Sequence, residues 1–417
     1  MTAPGPEPRW LGPVLVATLS LGVTAGFTRF TFNLVLPELD PDVLGSYSGA
    51  GLLVGLNLAT YLATIVGTRR WWRGDDPARL IRAGVACGGA GAALMSVAGS
   101  VPVLAVAMVL LGVSGGGGFV PVTTLMAALV PPARRGLAAG VLLGGVGLSV
   151  VLTGRLVALA HAWAPDATWA LVWRGVAGLA VAVWVLCRWR LPVVPVGDDT
   201  APAARVRWER GALPGGVAVA ACYALVGITS STYISYLAPA LTDDHGLSEG
   251  HTSALASLLG VAMVGGVAVG RLSDRVGRRA TLAGGFALSA ACSALLLVGR
   301  EPWLAVSVVL MGLLTTGGGA VVGAYLVDHL PAASVGSYMG VLTLAIAGAQ
   351  LVGPPIGGIL AEATSSFATT YAALALLAGA GAVVATRLDP VRPPPSAPPL
   401  LGAPAPANVV KTSSRHP

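Results

Sequence analysis

Long apolar runs separated by short polar stretches rich in arginine dominate the pattern of the chain. A helix needs about 20 mostly apolar residues to cross roughly 30 Å of hydrocarbon. By that measure twelve spans are predicted, at approximately 12–36, 46–67, 80–99, 102–130, 136–159, 168–188, 213–239, 252–272, 280–299, 303–328, 335–361 and 367–387. Strands are not expected. The runs are too long, they lack polar alternation, and only a helix satisfies its own backbone polar groups within one such segment. Met1 to Trp10 is short and proline-rich, and no small-residue cleavage site follows the first run, so that run reads as a retained helix.

Composition narrows the class. Of 417 residues, 55% are apolar and only 10% are charged, where a soluble domain carries about 25%. A mean hydropathy of +0.78 excludes a soluble enzyme, a nucleic-acid binder and a disordered chain together. The net charge of +7 matters less than where the basic residues lie. Of the 25 Lys/Arg, 21 fall in the two tails and in loops 2–3, 4–5, 6–7 and 8–9, three (Arg29, Arg155, Arg174) lie within spans, and Arg300 alone occupies an opposite-side loop. The positive-inside rule then predicts a multi-pass protein of the cell membrane with both termini cytoplasmic. Cys87, Cys187, Cys222 and Cys292 have neither metal nor redox spacing and read as small core residues.

The pattern divides into a cytoplasmic N-tail (1–11), a six-helix bundle (12–188), a polar linker (189–212) with three prolines and a run of charges from Arg205 to Arg210, a second six-helix bundle (213–387) and a tail (388–417) with nine prolines. The halves echo each other. Leu104-Ala105-Val106 matches Leu304-Ala305-Val306, Pro131 matches Pro331, and Gly136 and Gly140 match Gly336 and Gly340, all 200 residues apart. Gly67 and Gly74 match Gly270 and Gly277 at an offset of 203. Parallel six-helix repeats are a transporter architecture with the solute site between the halves.

The loop after the eighth span reads Gly270-Arg-Leu-Ser-Asp-Arg-Val-Gly-Arg-Arg279. It resembles the G-x-x-x-D-R-x-G-R-R signature of the major facilitator superfamily, with Gly270, Asp274, Arg275, Gly277, Arg278 and Arg279 in the signature positions. With twelve spans, two halves and a long central loop, the resemblance covers residues 10–388. It implies an all-α membrane fold of twelve transmembrane helices in two pseudo-symmetric six-helix bundles. The equivalent first-half loop, Gly67 to Gly74, has Trp71 where the acid belongs. In the superfamily the loop aspartate docks against the start of a helix from the opposite half. Here that implies a gate between Asp274 and Arg134 or Arg135 at the start of the fifth span, with solvated charges that only fix topology as the alternative. Gly353-Pro354-Pro355-Ile356-Gly357-Gly358 in the eleventh span looks like an antiporter motif usually placed in the fifth, but the favoured reading is a kinked, close-packed interface. The run Gly26-Phe-Thr-Arg-Phe-Thr-Phe-Asn-Leu-Val-Leu-Pro37 resembles the first helix of the YbfB/YjiJ-type branch.

Within that frame the polar residues inside spans are the site candidates. Gly22, Gly26, Arg29, Asn33 and Pro37 are spaced to fall on one helical stripe. Arg29 lies about 12 Å from the outer end of its span. A charge at that depth normally faces a watery cavity, although snorkelling or a pair with Glu38 are alternatives. No acid lies at comparable depth, so an anionic or acid-bearing small solute is expected, held by Arg29 with help from Asn33, while Phe30 and Phe32 point elsewhere. Asn57, Thr60, Tyr61 and Thr64 in the second span, Thr123 and Thr124 in the fourth, six hydroxyls from Ser230 to Tyr236 including Ser231 and Ser235, and Gln350 in the eleventh are cavity-lining candidates. Arg155, His161, Asp166 and Arg174 near the outer ends of the fifth and sixth spans read as local pairing. No nucleophile–base pair, metal-ligand set or P-loop pattern is present, so no enzyme activity and no cofactor are expected. A gradient should drive the protein, with the proton as candidate coupled ion. The expected partners are the bilayer and a small solute, not nucleic acid, for a monomer. The rival reading is a non-transporting receptor or partner subunit on the same scaffold.

Overall fold

A computed structural model describes residues 10–39, 41–71, 76–131, 135–193, 213, 215–330 and 332–389. The expectations placed on the linker core (194–212), on most of both tails and on Arg134 lie outside the described residues, as do the side chains of Trp71 and Arg135.

Twelve long helices succeed one another: α1 (Leu11–Leu34), α2 (Tyr47–Trp71), α3 (Pro77–Met95), α4 (Val101–Leu129), α5 (Arg135–Trp163), α6 (Thr168–Arg190), α7 (Gly216–Ser235), α8 (Glu249–Gly265, continued by Val267–Val276), α9 (Arg278–Val298), α10 (Trp303–His329), α11 (Ala332–Thr364) and α12 (Ala368–Ala385). No strand occurs among the described residues. Ten of these helices are long and apolar enough to span a membrane, and the bent α8 makes an eleventh. The twelfth, α3, has 19 residues and carries Arg79 and Arg82 near its start. Each helix begins and ends within a few residues of its predicted span. The start of α1 and the end of α12 share one face of the bundle, the terminal face. The turns after α1, α5, α7 and α11 share the opposite, far face.

Most helices are apolar all round, as bilayer-embedded helices are. Their lipid-side residues, such as Leu52, Leu376 and Val383, are left exposed while one core is built wholly from residues between Val14 and Leu191. A second core draws on Tyr233 to Leu374 with Leu34 and Val150 from the first half, and a third fills the terminal end of the second half. Without a hydrophobic drive between helices in lipid, close backbone packing supplies much of the attraction. The α5–α8 seam between the halves shows this. A Cβ built on Gly260 would lie 2.7 Å from the Gly147 carbonyl oxygen, so glycine alone lets these backbones approach.

Two irregularities were not foreseen. Gly22–Phe27 in α1 form a π-helical turn. Such a turn holds an extra residue and rotates the helix beyond it relative to the helix before it. The expected single stripe is therefore split. Gly22 and Gly26 pack on Gly145 and Ser149 of α5, whereas Arg29 and Asn33 face the space between the halves. The second irregularity is the 47° bend in α8 between Gly265 and Ala268. There the Thr316 hydroxyl of α10 donates to the Met263 carbonyl at 2.7 Å, satisfying an acceptor beside the break.

Candidate functional site

A cavity of ≈ 380 Å³ lies between the halves, within the range of small-molecule sites. α1 contributes Arg29, Phe30 and Asn33, α2 Asn57, α7 Ser230, Ser231 and Ser235, and α11 Gln350. Seven of these eight were expected there. Phe30 was not, and the expectation that it points elsewhere is corrected. Phe32 does turn away, edge-on to Trp169 at 6.0 Å. Sequence reasoning missed Tyr223 on α7 and Thr315 and Thr316 on α10, which also line the cavity. The adjacent threonines in an otherwise apolar span were the available signal.

Arg29 organises this space. One guanidinium nitrogen donates to Gln350 Oε1 at 2.6 Å, a bond between residues 321 positions apart that crosses from one half to the other. Its carbon sits 5.2 Å from the Tyr61 ring centroid, a cation–π contact. Tyr61 is itself buried and supports Arg29 from behind. Among the described residues no carboxylate pairs with Arg29, and the suggested pair with Glu38 does not form. The Asn33 amide donates to the Arg29 carbonyl oxygen at 3.3 Å, which leaves its own Oδ1 buried and unpartnered within the protein. Ser231 Oγ is in the same condition. Both residues line the cavity beside Arg29, with these two atoms turned away from its open space.

The remaining candidates do other things. Asn57 donates to the carbonyl of Met108 on α4 at 3.2 Å, so part of its polarity is consumed in packing. Thr123 is exposed, returns its hydroxyl to the Val120 carbonyl and is not among the cavity-lining residues. In the hydroxyl-rich stretch of α7, Tyr233 bonds Ser307 at 2.6 Å and Tyr236 donates to the Pro354 carbonyl at 2.6 Å. The Pro354 carbonyl belongs to the glycine–proline motif of α11. That motif packs tightly, since a Cβ on Gly358 would meet the Tyr47 carbonyl oxygen at 2.5 Å.

In the signature loop, Gly277 takes φ +95° and separates α8 from α9. Asp274 is largely exposed and pairs with Arg278 of its own loop. Arg278 also bonds Asp328 at the end of α10, Nε to Oδ2 at 2.8 Å, and Ser273. From sequence, Asp328 reads only as a bland charge ending the tenth span. Arg275 and Arg279 are exposed, and Gly270 has Ala320 of α10 beside it.

On the far face, contacts join the two halves. The Tyr47 hydroxyl donates to Asp243, the Ser48 amide to Glu362 at 3.3 Å, and the Tyr47 ring meets Phe367 edge-on at 4.8 Å. Glu38, just beyond α1, approaches His161 and Glu249, and its carboxyl is pushed up to about 8 by burial and by the neighbouring Glu249 carboxylate. On the terminal face the ion pairs of the described residues stay within one half each: Arg82 with Asp76, and Arg278 with Asp274 and Asp328.

Comparison with known proteins agrees with this architecture. The family described as "Uncharacterised MFS-type transporter YbfB" matches residues 21–389. A chloramphenicol resistance protein of Streptomyces lividans is 30% identical over 283 residues, 63% of this chain and 67% of that protein. A bacterial homologue of the human lysosomal transporter Spinster, solved inward-facing and occupied, superposes with TM-score 0.73 at 18% identity, covering 92% of this chain and 98% of the other. The nucleoside transporter NupG superposes with TM-score 0.70 at 11% identity over 91% of this chain and 98% of its own. At these identities the structural likenesses concern the fold.

Proposed function

The chain belongs to the family of uncharacterised MFS-type transporters typified by YbfB, and from that premise we propose that it is a secondary active transporter of a small, acid-bearing solute working by alternating access. The observation that carries this reading is Arg29: a guanidinium facing a central cavity, held by Gln350 and Tyr61, with no carboxylate paired to it among the described residues. A carboxylate or phosphate supplies the missing charge and accepts two parallel N–H donors, which lysine reproduces poorly. Ser231 and Asn33 line the same cavity, and rotation of either side chain would turn a hydroxyl or an amide oxygen toward the rest of the solute. The arginine distribution supports a cytoplasmic terminal face, and the tied far face then corresponds to a conformation closed to the outside. A cavity with this polar lining supports transport over a receptor role, for which a filled apolar interior would be expected.

The Streptomyces lividans relative supports a second reading, export of chloramphenicol or a similar compound. The two are separated by reconstituting the protein in liposomes and measuring uptake of a panel of organic acids, phosphorylated metabolites and chloramphenicol, with and without a proton gradient. Gradient-dependent movement of acids alone supports the first reading. Movement of chloramphenicol alone supports the second and overturns the first.

A further inference from the structure

Away from the cavity, three side chains converge on the far face from both halves. Glu38 lies just past α1, His161 lies in the last turn of α5, and Glu249 opens α8. One ligand-type atom from each lies within 4.8 Å of the other two. The Glu38 side chain is only 8% exposed, and its Oε1 receives no hydrogen bond from the described protein. It points at His161 Nδ1, 3.8 Å away, which is also buried at that atom and unpartnered. No arginine or lysine among the described residues is ion-paired with either glutamate. Two carboxylates and an imidazole have thus been brought together from α5, α8 and the turn past α1. Glu38 is hydrogen-bonded to Glu249 and Thr168, yet one buried oxygen and one buried nitrogen still lack partners, which packing alone would avoid.

We infer that Glu38, His161 and Glu249 form a divalent-cation site that clamps the two halves together on the far face. One nitrogen and two carboxylate donors without thiolate suit zinc or a similar first-row ion, whereas calcium and magnesium prefer all-oxygen shells. An ion at the centre of a triangle with 4.8 Å sides is about 2.8 Å from each corner. Side-chain rotation of less than about 1 Å per ligand therefore reaches the roughly 2.0–2.2 Å of zinc coordination, with water completing the shell. Because Glu38 and His161 belong to one half and Glu249 to the other, the full ligand set exists only while the far face is closed. The ion accordingly favours that conformation by its differential affinity for it.

The test is calorimetric titration of the purified full-length chain with Zn²⁺ alone, in parallel with His161→Gln, Glu249→Gln and, as control, His251→Gln. His161 and Glu249 sit at the rim of the cluster, so their substitution leaves the buried Glu38 and the fold in place, which the thermal unfolding midpoint verifies. Expected is one saturable site whose affinity falls about tenfold or more in each ligand variant and is unchanged in the control. A pair of spin labels across the far face should show the short-distance population growing with Zn²⁺ in the parent and not in the ligand variants. Absence of saturable binding, or equal affinity in the parent and both ligand variants, overturns the site. Binding with no change in the label distances overturns the clamp.

Discussion

Replacing Arg29 separates its cost from its use. Of the five N–H donors of a guanidinium, one engages Gln350 at 2.6 Å, and the rest are free to meet a solute. Losing a hydrogen bond to a charged group costs about 1.5–3 kcal/mol, which at 1.4 kcal/mol per decade is about a ten- to hundredfold loss of affinity in Arg29→Ala. Stability should move the other way. An arginine inside a span costs up to about 2.5–3.5 kcal/mol, the figure for its centre, partly offset by a cation–π contact of about 0.5–2 kcal/mol and by the Gln350 bond. Arg29→Met, which keeps the stem and removes the charge, should leave stability unchanged or raise it by about 1 kcal/mol. Equilibrium binding of whichever solute the liposome panel identifies, alongside thermal unfolding in the same detergent, reads both quantities. Arg29→Lys should recover little affinity, because a point charge cannot reproduce the forked geometry. Unchanged affinity in Arg29→Ala refutes the assignment, and a loss of stability in Arg29→Met with affinity intact makes Arg29 a packing residue.

Two further outcomes rest on named contacts. Asp274→Asn removes the acid of the gate expected with Arg134 or Arg135 of the other half, and should raise the population open on the terminal face. The readout is faster thiol labelling of Thr316→Cys in a background lacking native cysteines, and unchanged labelling and transport would leave the loop a topological role alone. Gly260→Ala should destabilise the α5–α8 seam by about 1–3 kcal/mol, since its Cβ would lie 2.7 Å from the Gly147 carbonyl oxygen. An unaltered unfolding midpoint would show that the seam can yield.

The range of the forces involved decided which features were legible in the sequence and which were hidden. Spans were readable because burial in lipid acts on every residue of a helix, so the limits of α4 and α10 needed no tertiary knowledge. Arg29 and Gln350 were each readable as polar residues in apolar surroundings. Their bond was not, because nothing local connects positions 321 residues apart. The π turn of α1 was hidden too: it depends on how Gly22 and Gly26 seat against α5, and so the straight-helix stripe placed them with Arg29. The Gly265-Gly266 pair was a visible warning of the bend in α8. Asp328 and Glu249 looked like ordinary charges at helix ends, and only the packing of α9 on α10, and of α8 on α5, gives them partners.

The uncompensated guanidinium also has an electrical meaning. Under the proposed alternating access, the aqueous access to Arg29 would switch sides, and the membrane voltage would fall across one flank of it and then the other. A whole elementary charge crossing a full field of 100 mV corresponds to about 2.3 kcal/mol, and a charge part-way across the membrane experiences a fraction of that. An interior-negative potential therefore biases the empty protein toward the state in which Arg29 communicates with the interior. A bound monoanion cancels the charge, and the loaded protein turns without regard to voltage. On the proposed reading, the residue that meets the solute would also decide which half of a transport cycle the membrane potential drives.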